Sequence, residues 1–342
     1  MTHTAASARP ASDARRFACE LSSLALLRVS GADATSFLQG QLTNDISALA
    51  VGGAQRSGYC SPKGRLLADF LIMRTADCLW LIIDRTLADT IRKRLAMFVL
   101  RAKVRIEAAD ESLRLFGFVD RSISPSERPS PIPLGPSAIG WPAPMVVADD
   151  QSMLRLGLDP VSRADPPWHR MIAVLGADES AALIDGGLES WPLVSEAWWQ
   201  TGEVLAGTPH ITAATTDAFV PQMVNFELVG GVDFRKGCYT GQEVVARTQY
   251  LGKLKRRMGL GWMPGAAAPG DPLNDADGQP AGMVVAAGPG DPVGRPGEFA
   301  VLFERRIDDS PASLTLGGLT ITPDALPYDI PVVERFERPR DL

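Results

Sequence analysis

The sequence predicts an α+β protein in several domains, with antiparallel sheets covered by helices and a small C-terminal β-barrel. Three observations carry this. The 342 residues exceed what one hydrophobic core usually holds. The N-terminal half reads strand, helix, hairpin, helix, strand, an antiparallel sheet covered on one face. After Lys255 the chain breaks into short strand candidates split by Gly, Pro and Asp turns.

Taken in order, residues 1–16 are small, polar and lightly basic, and read as a disordered lead-in with no secretory apolar core. The first ordered segment is expected at Leu24–Val29. Ser30 and Asp33 offer cap oxygens to a helix through Ala34, Phe37 and Leu38 that ends near Gly40. Ser57–Pro62 is a strand end and turn; Arg65–Arg74 and Leu79–Asp84 form a hairpin about a polar break. Leu87, Ile91, Leu95 and Phe98 recur at helical spacing, and Lys103–Glu107 and Leu113–Val119 are further strands. Proline and serine dominate from Ser122 to Pro144, which reads as a linker or long loop. Strands at Met153–Leu158 and Met171–Leu175 follow, with a helix over Glu179–Ile184. Another helix carries Trp198 and Trp199 to a Gly207-Thr208-Pro209 turn. Barrel strands are expected at Met258–Met263, Ala281–Ala286, Glu298–Glu304 and Leu314–Ile321. The expected units are therefore 15–121, a linker at 122–144, 145–254, and a barrel over 255–342.

Apolar residues make up 45% and charged residues 22%, an ordinary globular balance. A formal charge of −6 gives no global pull toward nucleic acid. Lys253, Lys255, Arg256 and Arg257 make a local basic patch, read first as a solvated strand start. Cys19, Cys60, Cys78 and Cys238 are dispersed, with no CxxC pair, and suggest reduced thiols in a cytoplasm. Three histidines are too few for a His-based metal centre, and no apolar run spans a bilayer.

One stretch, KGCYTGQE at Lys236–Glu243, organises the rest. Gly237 and Gly241 frame a tight bend. Thr240 and Glu243 have capping-box spacing, so a helix is expected from Gly241 through Val244, Val245 and Arg247. Cys238 then lies just outside the positive helix end, beside Arg235 and Lys236, where thiolate is favoured. The plainer reading is an ordinary helix start with an inert cysteine.

KGCYTGQEVVARTQYLGKLKR resembles the signature of the YgfZ family, folate-binding relatives of the glycine-cleavage T-protein. GADATSFLQGQLTNDI, YCSPKGRLLADFLI, AGTPHI and FVPQMVNFELVGGVDF resemble other family segments in the same order. The resemblance implies a three-domain architecture around a central folate pocket, with a C-terminal β-barrel. It implies tetrahydrofolate as cofactor and a role in assembling or repairing iron–sulfur clusters, including those of tRNA-thiolating enzymes. Partners would be such client enzymes or assembly proteins, with direct tRNA binding through the Lys253–Arg257 patch not favoured. Cys238 is the reactive candidate; Trp199, Leu24, Lys236, Gly237, Tyr239, Gln242 and Arg247 form the folate-contacting set. Trp199 matches a family tryptophan, whereas Leu24 replaces an aromatic residue and can wall a pocket without stacking. Gln242 could bind ligand or a loop, and Arg247 has the spacing for an ion pair with Glu243.

Two departures argue against aminomethyl transfer. Ala68 replaces one of the T-protein's paired acids, and Leu205 stands where a glutamate precedes Ala206-Gly207. Asp69, the remaining acid, reads equally as solvated or functional. A folate-dependent one-carbon transferase is the alternative function.

Overall fold

The structure is a computed structural model. It describes residues 15–122, 132–134, 137–139, 147–149, 154–161, 167–186, 191–250, 254–307 and 314–331.

Three antiparallel sheets organise them. One five-stranded sheet has the order β3 (Ala54–Cys60), β4 (Leu66–Arg74), β5 (Cys78–Asp84), β2 (Leu24–Ser30), β6 (Arg105–Ala108). A second runs β1 (Arg16–Glu20), β7 (Arg114–Asp120), β12 (Trp168–Leu175), β11 (Leu154–Val161), β10 (Val147–Asp149). The third, seven-stranded and barrel-like, runs β18 (Leu319–Thr320), β17 (Thr315–Leu316), β14 (Pro272–Asn274), β15 (Pro280–Pro289), β16 (Glu298–Arg306), β13 (Arg256–Pro264), β19 (Thr322–Asp324). A short ladder pairs β8 (Ile132–Leu134) with β9 (Ser137–Ile139). The rest of the proline-rich stretch 122–144, beyond Ser122, lies outside the described residues.

Helix α1 (Ala34–Gln39) and helix α2 (Arg85–Ala96) accompany the first sheet. Leu87, Ala88, Ile91 and Leu95 form the buried stripe of α2, and Asp84 caps it by accepting from the Thr86 amide at 2.9 Å. Helices α3 (Ala177–Gly186), α4 (Ala197–Leu205) and α5 (Gln242–Tyr250) belong to the second half. All eight residues of β12 are buried, as expected of a strand near the middle of a sheet covered on both faces. There Trp168 meets Phe17 edge-on at 5.6 Å, a pair worth about 0.5–1.5 kcal/mol beyond its buried area.

Away from the KGCYTGQE segment, the structure departs from the sequence reading in several places. Strand β1 precedes the expected first strand, because Phe17, Ala18 and Cys19 are fully buried against β7. The β7–β12 pairing, Arg114↔Leu175 through Asp120↔His169, crosses the interval expected to separate two units, so those units share a sheet. Asp33 does not cap α1 through its side chain; its carboxylate accepts from the Lys103 amide at 2.7 Å. Helix α2 ends at Ala96, so Phe98 leaves the buried stripe and is 46% exposed.

Candidate functional site

A small cleft, partly open to solvent, lies between the two five-stranded sheets. Strand alternation builds its floor: Asp69 and Leu71, two apart on β4, share a face with Arg56 on β3 and Ile82 and Asp84 on β5. Leu24, paired with Asp84, extends that floor onto β2. Leu158 and Ile172 from the second sheet form part of the opposite wall. Helix α4 completes it with Trp199 and Glu203, four residues apart and therefore on one face.

Trp199 is both packed and cleft-lining. It is 3% exposed, lies against Gly117, where an added Cβ would meet its ring at 2.4 Å, and carries the Arg170 guanidinium 5.6 Å from its ring centroid. Trp198, one step around the helix, instead meets Phe17 edge-on at 5.3 Å.

The polar end of the cleft was only partly legible in the sequence. Helix α4 closes with a Schellman turn. The Thr208 amide bonds the Glu203 carbonyl at 3.0 Å, the Gly207 amide bonds Val204 at 2.9 Å, and Gly207 takes φ +64°. The chain doubles back through Pro209 and brings His210 to the helix it has just left. The His210 ring bridges two carboxylates: Nε2 lies 3.1 Å from Glu203 Oε2 and Nδ1 lies 3.2 Å from Asp69 Oδ2. Asp69 Oδ1 accepts from the Ile211 amide at 2.6 Å, and Glu203 Oε1 pairs with Arg170.

Burial alone would lower the His210 pKa, but Asp69 and Glu203 outweigh it and raise it to about 10. The ring is therefore an imidazolium donating from both nitrogens. Burial alone would raise the Glu203 pKa; Arg170, His210 and the more distant Arg56 hold it well below the carboxylate range. Asp69 is 6% exposed and is not a solvated strand acid. The sequence reading passed over Glu203 and His210; a helical acid four residues after Trp199, followed by Gly-Thr-Pro-His, was the signal that could have found them.

The KGCYTGQE segment sits elsewhere. Gly241 takes φ +83°, so it cannot be a first helical residue, and α5 begins at Gln242. Thr240 and Glu243 make no capping pair, because this left-handed residue breaks the helical run the pair requires. An added Cβ at Gly241 would lie 2.4 Å from the Ser61 carbonyl oxygen, and one at Gly64 would lie 2.7 Å from Val244 Cβ. The KGCYTGQE bend is thus docked glycine to glycine on the turn of the β3–β4 hairpin. Gly64 lies in the hairpin turn before β4, and Asp69 stands three residues into that strand from Leu66, roughly 10 Å at strand rise. None of the residues lining the cleft comes from 236–247.

Four of the family-like segments meet at this end. Thr43 donates to the Gly231 carbonyl at 2.6 Å and accepts from the Gly58 amide at 2.7 Å; the Leu66 amide bonds Phe219 at 2.8 Å. Lys236 turns inward, donating to the Gln39 carbonyl at 2.5 Å and the Leu42 carbonyl at 2.7 Å, with Nζ 4.7 Å from the Tyr239 ring centroid. Burial pushes its pKa down to about 8, against the charges of Asp45, Asp233 and Cys238. Tyr239 is buried. Cys60 is 1% exposed, and burial pushes its thiol up to about 12. Cys238 alone of the four cysteines is exposed. Gly237 is exposed, and an added Cβ there meets nothing within 4 Å. Arg247 and Glu243 are both exposed and form no ion pair, as suits a pair that solvent screens. The basic patch is largely neutralised: Arg256 pairs with Glu304 and Arg257 with Glu227, which leaves Lys255 exposed, while Lys253 lies outside the described residues.

With this geometry in view, the class follows from the fold. The structure overlays on the glycine cleavage system aminomethyltransferase T of Bartonella henselae with a TM-score of 0.67, covering 91% of this chain and 85% of that one at 16% identity. A profile of the GCVT N-terminal domain matches residues 13–118. This is the T-protein fold. Within it, the chain is 31% identical over 242 residues to the tRNA-modifying protein YgfZ of Edwardsiella ictaluri, covering 70% of this chain and 69% of the relative. It is 32% identical over 243 residues to that of Pectobacterium carotovorum, covering 71% and 68%. The chain belongs to the YgfZ family. Among the described residues no helix is long and apolar enough to cross a membrane.

Proposed function

We propose that this protein is a cytoplasmic tetrahydrofolate-binding accessory factor that supports iron–sulfur cluster assembly or repair, and through it tRNA modification. The observation that carries the folate part is the cleft between the sheets. Trp199, Leu24 and Ile82 offer apolar walls for a heteroaromatic ring, and a polar cluster stands at one end. Trp199 and Leu24 would hold the ring; Asp69 and Glu203 would take hydrogen bonds from its amino edge. Bound folate would supply a redox-active, one-carbon-carrying ring. Lys236, Gly237, Tyr239, Gln242 and Arg247 are better read as the frame of a surface that presents Cys238 to a client, because none of them lines the cleft.

The test has two arms. Tetrahydrofolate should quench tryptophan fluorescence in the wild type, and Trp199→Phe should abolish most of the change. In a cell lacking its own family member, cluster-enzyme activity should return with the wild type and not with Cys238→Ala. Equal rescue by both would remove Cys238 from the mechanism.

One observation favours a second reading, one-carbon transfer: Asp69 and Glu203 keep two carboxylates in the cleft. All four of their oxygens, however, already meet His210, Arg170 or the Ile211 amide, and His210 is held as a cation, so among the described lining residues the carboxylate oxygen without a partner is Oδ2 of Asp84. Methylene-tetrahydrofolate forming from tetrahydrofolate and an amine donor would establish the second reading against the first.

A further inference from the structure

The charges lining the cleft do not all have partners. Asp69, His210, Glu203 and Arg170 form a chain of alternating sign that sums to zero. Asp84 caps α2 through one oxygen, Oδ1, which accepts from the Thr86 amide and hydroxyl. Arg56 differs. Its carbonyl accepts from the Asn44 side chain, but its guanidinium makes no hydrogen bond, ion pair or ring contact among the described residues. It acts on Glu203 only at longer range. A half-buried guanidinium facing a cleft with its donors unused is a site for an anionic oxygen.

The sheet register says where on the ligand that oxygen belongs. Arg56 pairs with Leu71, Leu71 pairs with Ile82, and Asp84 lies two residues further along β5. Two strand spacings and two residues of rise put the Arg56 and Asp84 backbones about 12 Å apart on the cleft floor. Asp69 sits beside Asp84 at the acidic end, and Leu71 and Ile82 lie between. The cleft is thus polarised: hydrogen-bond acceptors at one end, an apolar middle, a free cation at the other.

We propose that Arg56 is the anchor for a carboxylate carried on the tail of the bound ligand, and that it makes the cleft select tailed, anionic pterins over bare ones. This rests on the folate reading of the cleft. The amino edge of the ring takes the acidic end, and a glutamate carboxylate reaches the guanidinium, where a bidentate pair is the strongest geometry open to it.

The experiment compares two ligands by calorimetric titration: tetrahydrofolate and 6-methyltetrahydropterin, which keeps the ring and lacks the tail. Wild type should bind tetrahydrofolate about tenfold or more tightly over the bare pterin, the scale of one charge-assisted pair, with the gap narrowing as salt is raised. Arg56→Met should remove that gap, leave pterin affinity within about twofold, and keep the melting temperature, since its guanidinium contacts no other described group. Arg56→Lys should restore part of it. Equal wild-type affinity for the two ligands overturns the proposal while leaving the ring site standing, and needs no variant. An Arg56→Met protein that is folded yet keeps the gap, or loses both ligands alike, also overturns it. Failure of the wild type to bind either ligand brings down the folate reading, and this inference with it.

Discussion

The cleft and the KGCYTGQE bend are the two regions the proposed function draws on, and they are built from opposite materials. The cleft is made of side chains, with a buried chain of charges set between sheets. The bend is made of backbone: glycines in contact, a left-handed residue, and a lysine donating to two carbonyls. Chemistry held by side chains tolerates a neighbour's change of shape and fails when a charge is lost. Chemistry held by backbone tolerates changes of charge and fails when a Cβ is added. Each region should therefore break in its own way.

The largest effect is expected at Glu203. Replacing it with alanine takes a buried carboxylate away from Arg170, 2% exposed, and leaves His210 with Asp69 as its one carboxylate among the described residues. Removing one member of a buried ion pair costs about 3–5 kcal/mol. Chemical denaturation should show a loss of that size. A loss under about 1 kcal/mol would mean that water enters the cleft and screens Arg170.

At the bend the counterpart is a pair of glycines four residues apart. Gly241→Ala puts a Cβ 2.4 Å from the Ser61 carbonyl at φ +83°, and should cost about 1–3 kcal/mol. Gly237→Ala meets nothing and should stay within about 0.5 kcal/mol. Equal denaturation midpoints for the two variants would dissolve the argument that Gly241 locks the bend to the hairpin.

The same contrast explains what was legible in advance. Helix α2, the β4–β5 hairpin and the barrel strands expected at Met258–Met263, Ala281–Ala286 and Glu298–Glu304 announce themselves through periodicity and turn residues, and the structure has them, whereas the run Leu314–Ile321 is a short hairpin, β17 and β18, turned at Gly317 and Gly318. The bend announces itself through KGCYTGQE, because backbone geometry of this kind needs glycine at fixed positions. The cleft does not. Asp69, Glu203 and His210 come from a strand, a helix end and the turn after it, and no spacing rule joins 69 to 203. Arg170 and Arg56 lie on strands whose pairing is long-range. Strand β1 was missed because its five residues, RFACE, follow a polar lead-in and carry no turn signal of their own. Ala68 and Leu205 read as lost carboxylates, whereas Asp69 and Glu203, which line the cleft, stand one and two residues away. A one-letter offset on a strand reverses the face, so the balance of acids cannot be taken from neighbouring positions.

Acidity offers a finer test of the cleft. His210 has its pKa raised from 6.5 to about 10 on folding. Its stabilisation is therefore complete below about pH 6.5 and is lost as pH climbs toward 10. Glu203 is lowered from 4.5, so its share is present above pH 4.5 and lost as pH falls further. The stability gap between wild type and His210→Asn should be widest near pH 6 and shrink steadily toward pH 10. Asp69, Glu203, Arg170, Arg56 and Asp84 are the charges that face that ring, its carboxylate partners or the cleft. A gap that does not vary between pH 6 and 10 would mean that the ring is neutral and bonded through one nitrogen.

The smallest expected effect on stability is at Cys238, and it separates the two regions most sharply. Its side chain is exposed, it makes no hydrogen bond among the described residues, and the bend around it is held by Gly241, Lys236 and Tyr239. Cys238→Ala should therefore change folding stability by less than about 0.5 kcal/mol and leave tetrahydrofolate titration unchanged, because Cys238 does not line the cleft. If rescue of cluster enzymes fails in that same variant, function requires a group that neither folding nor ligand binding uses, and the bend is a surface for a client. If the variant instead loses folate binding, the bend and the cleft are coupled through the β3–β4 hairpin on which the bend is docked, and the two regions act as one site.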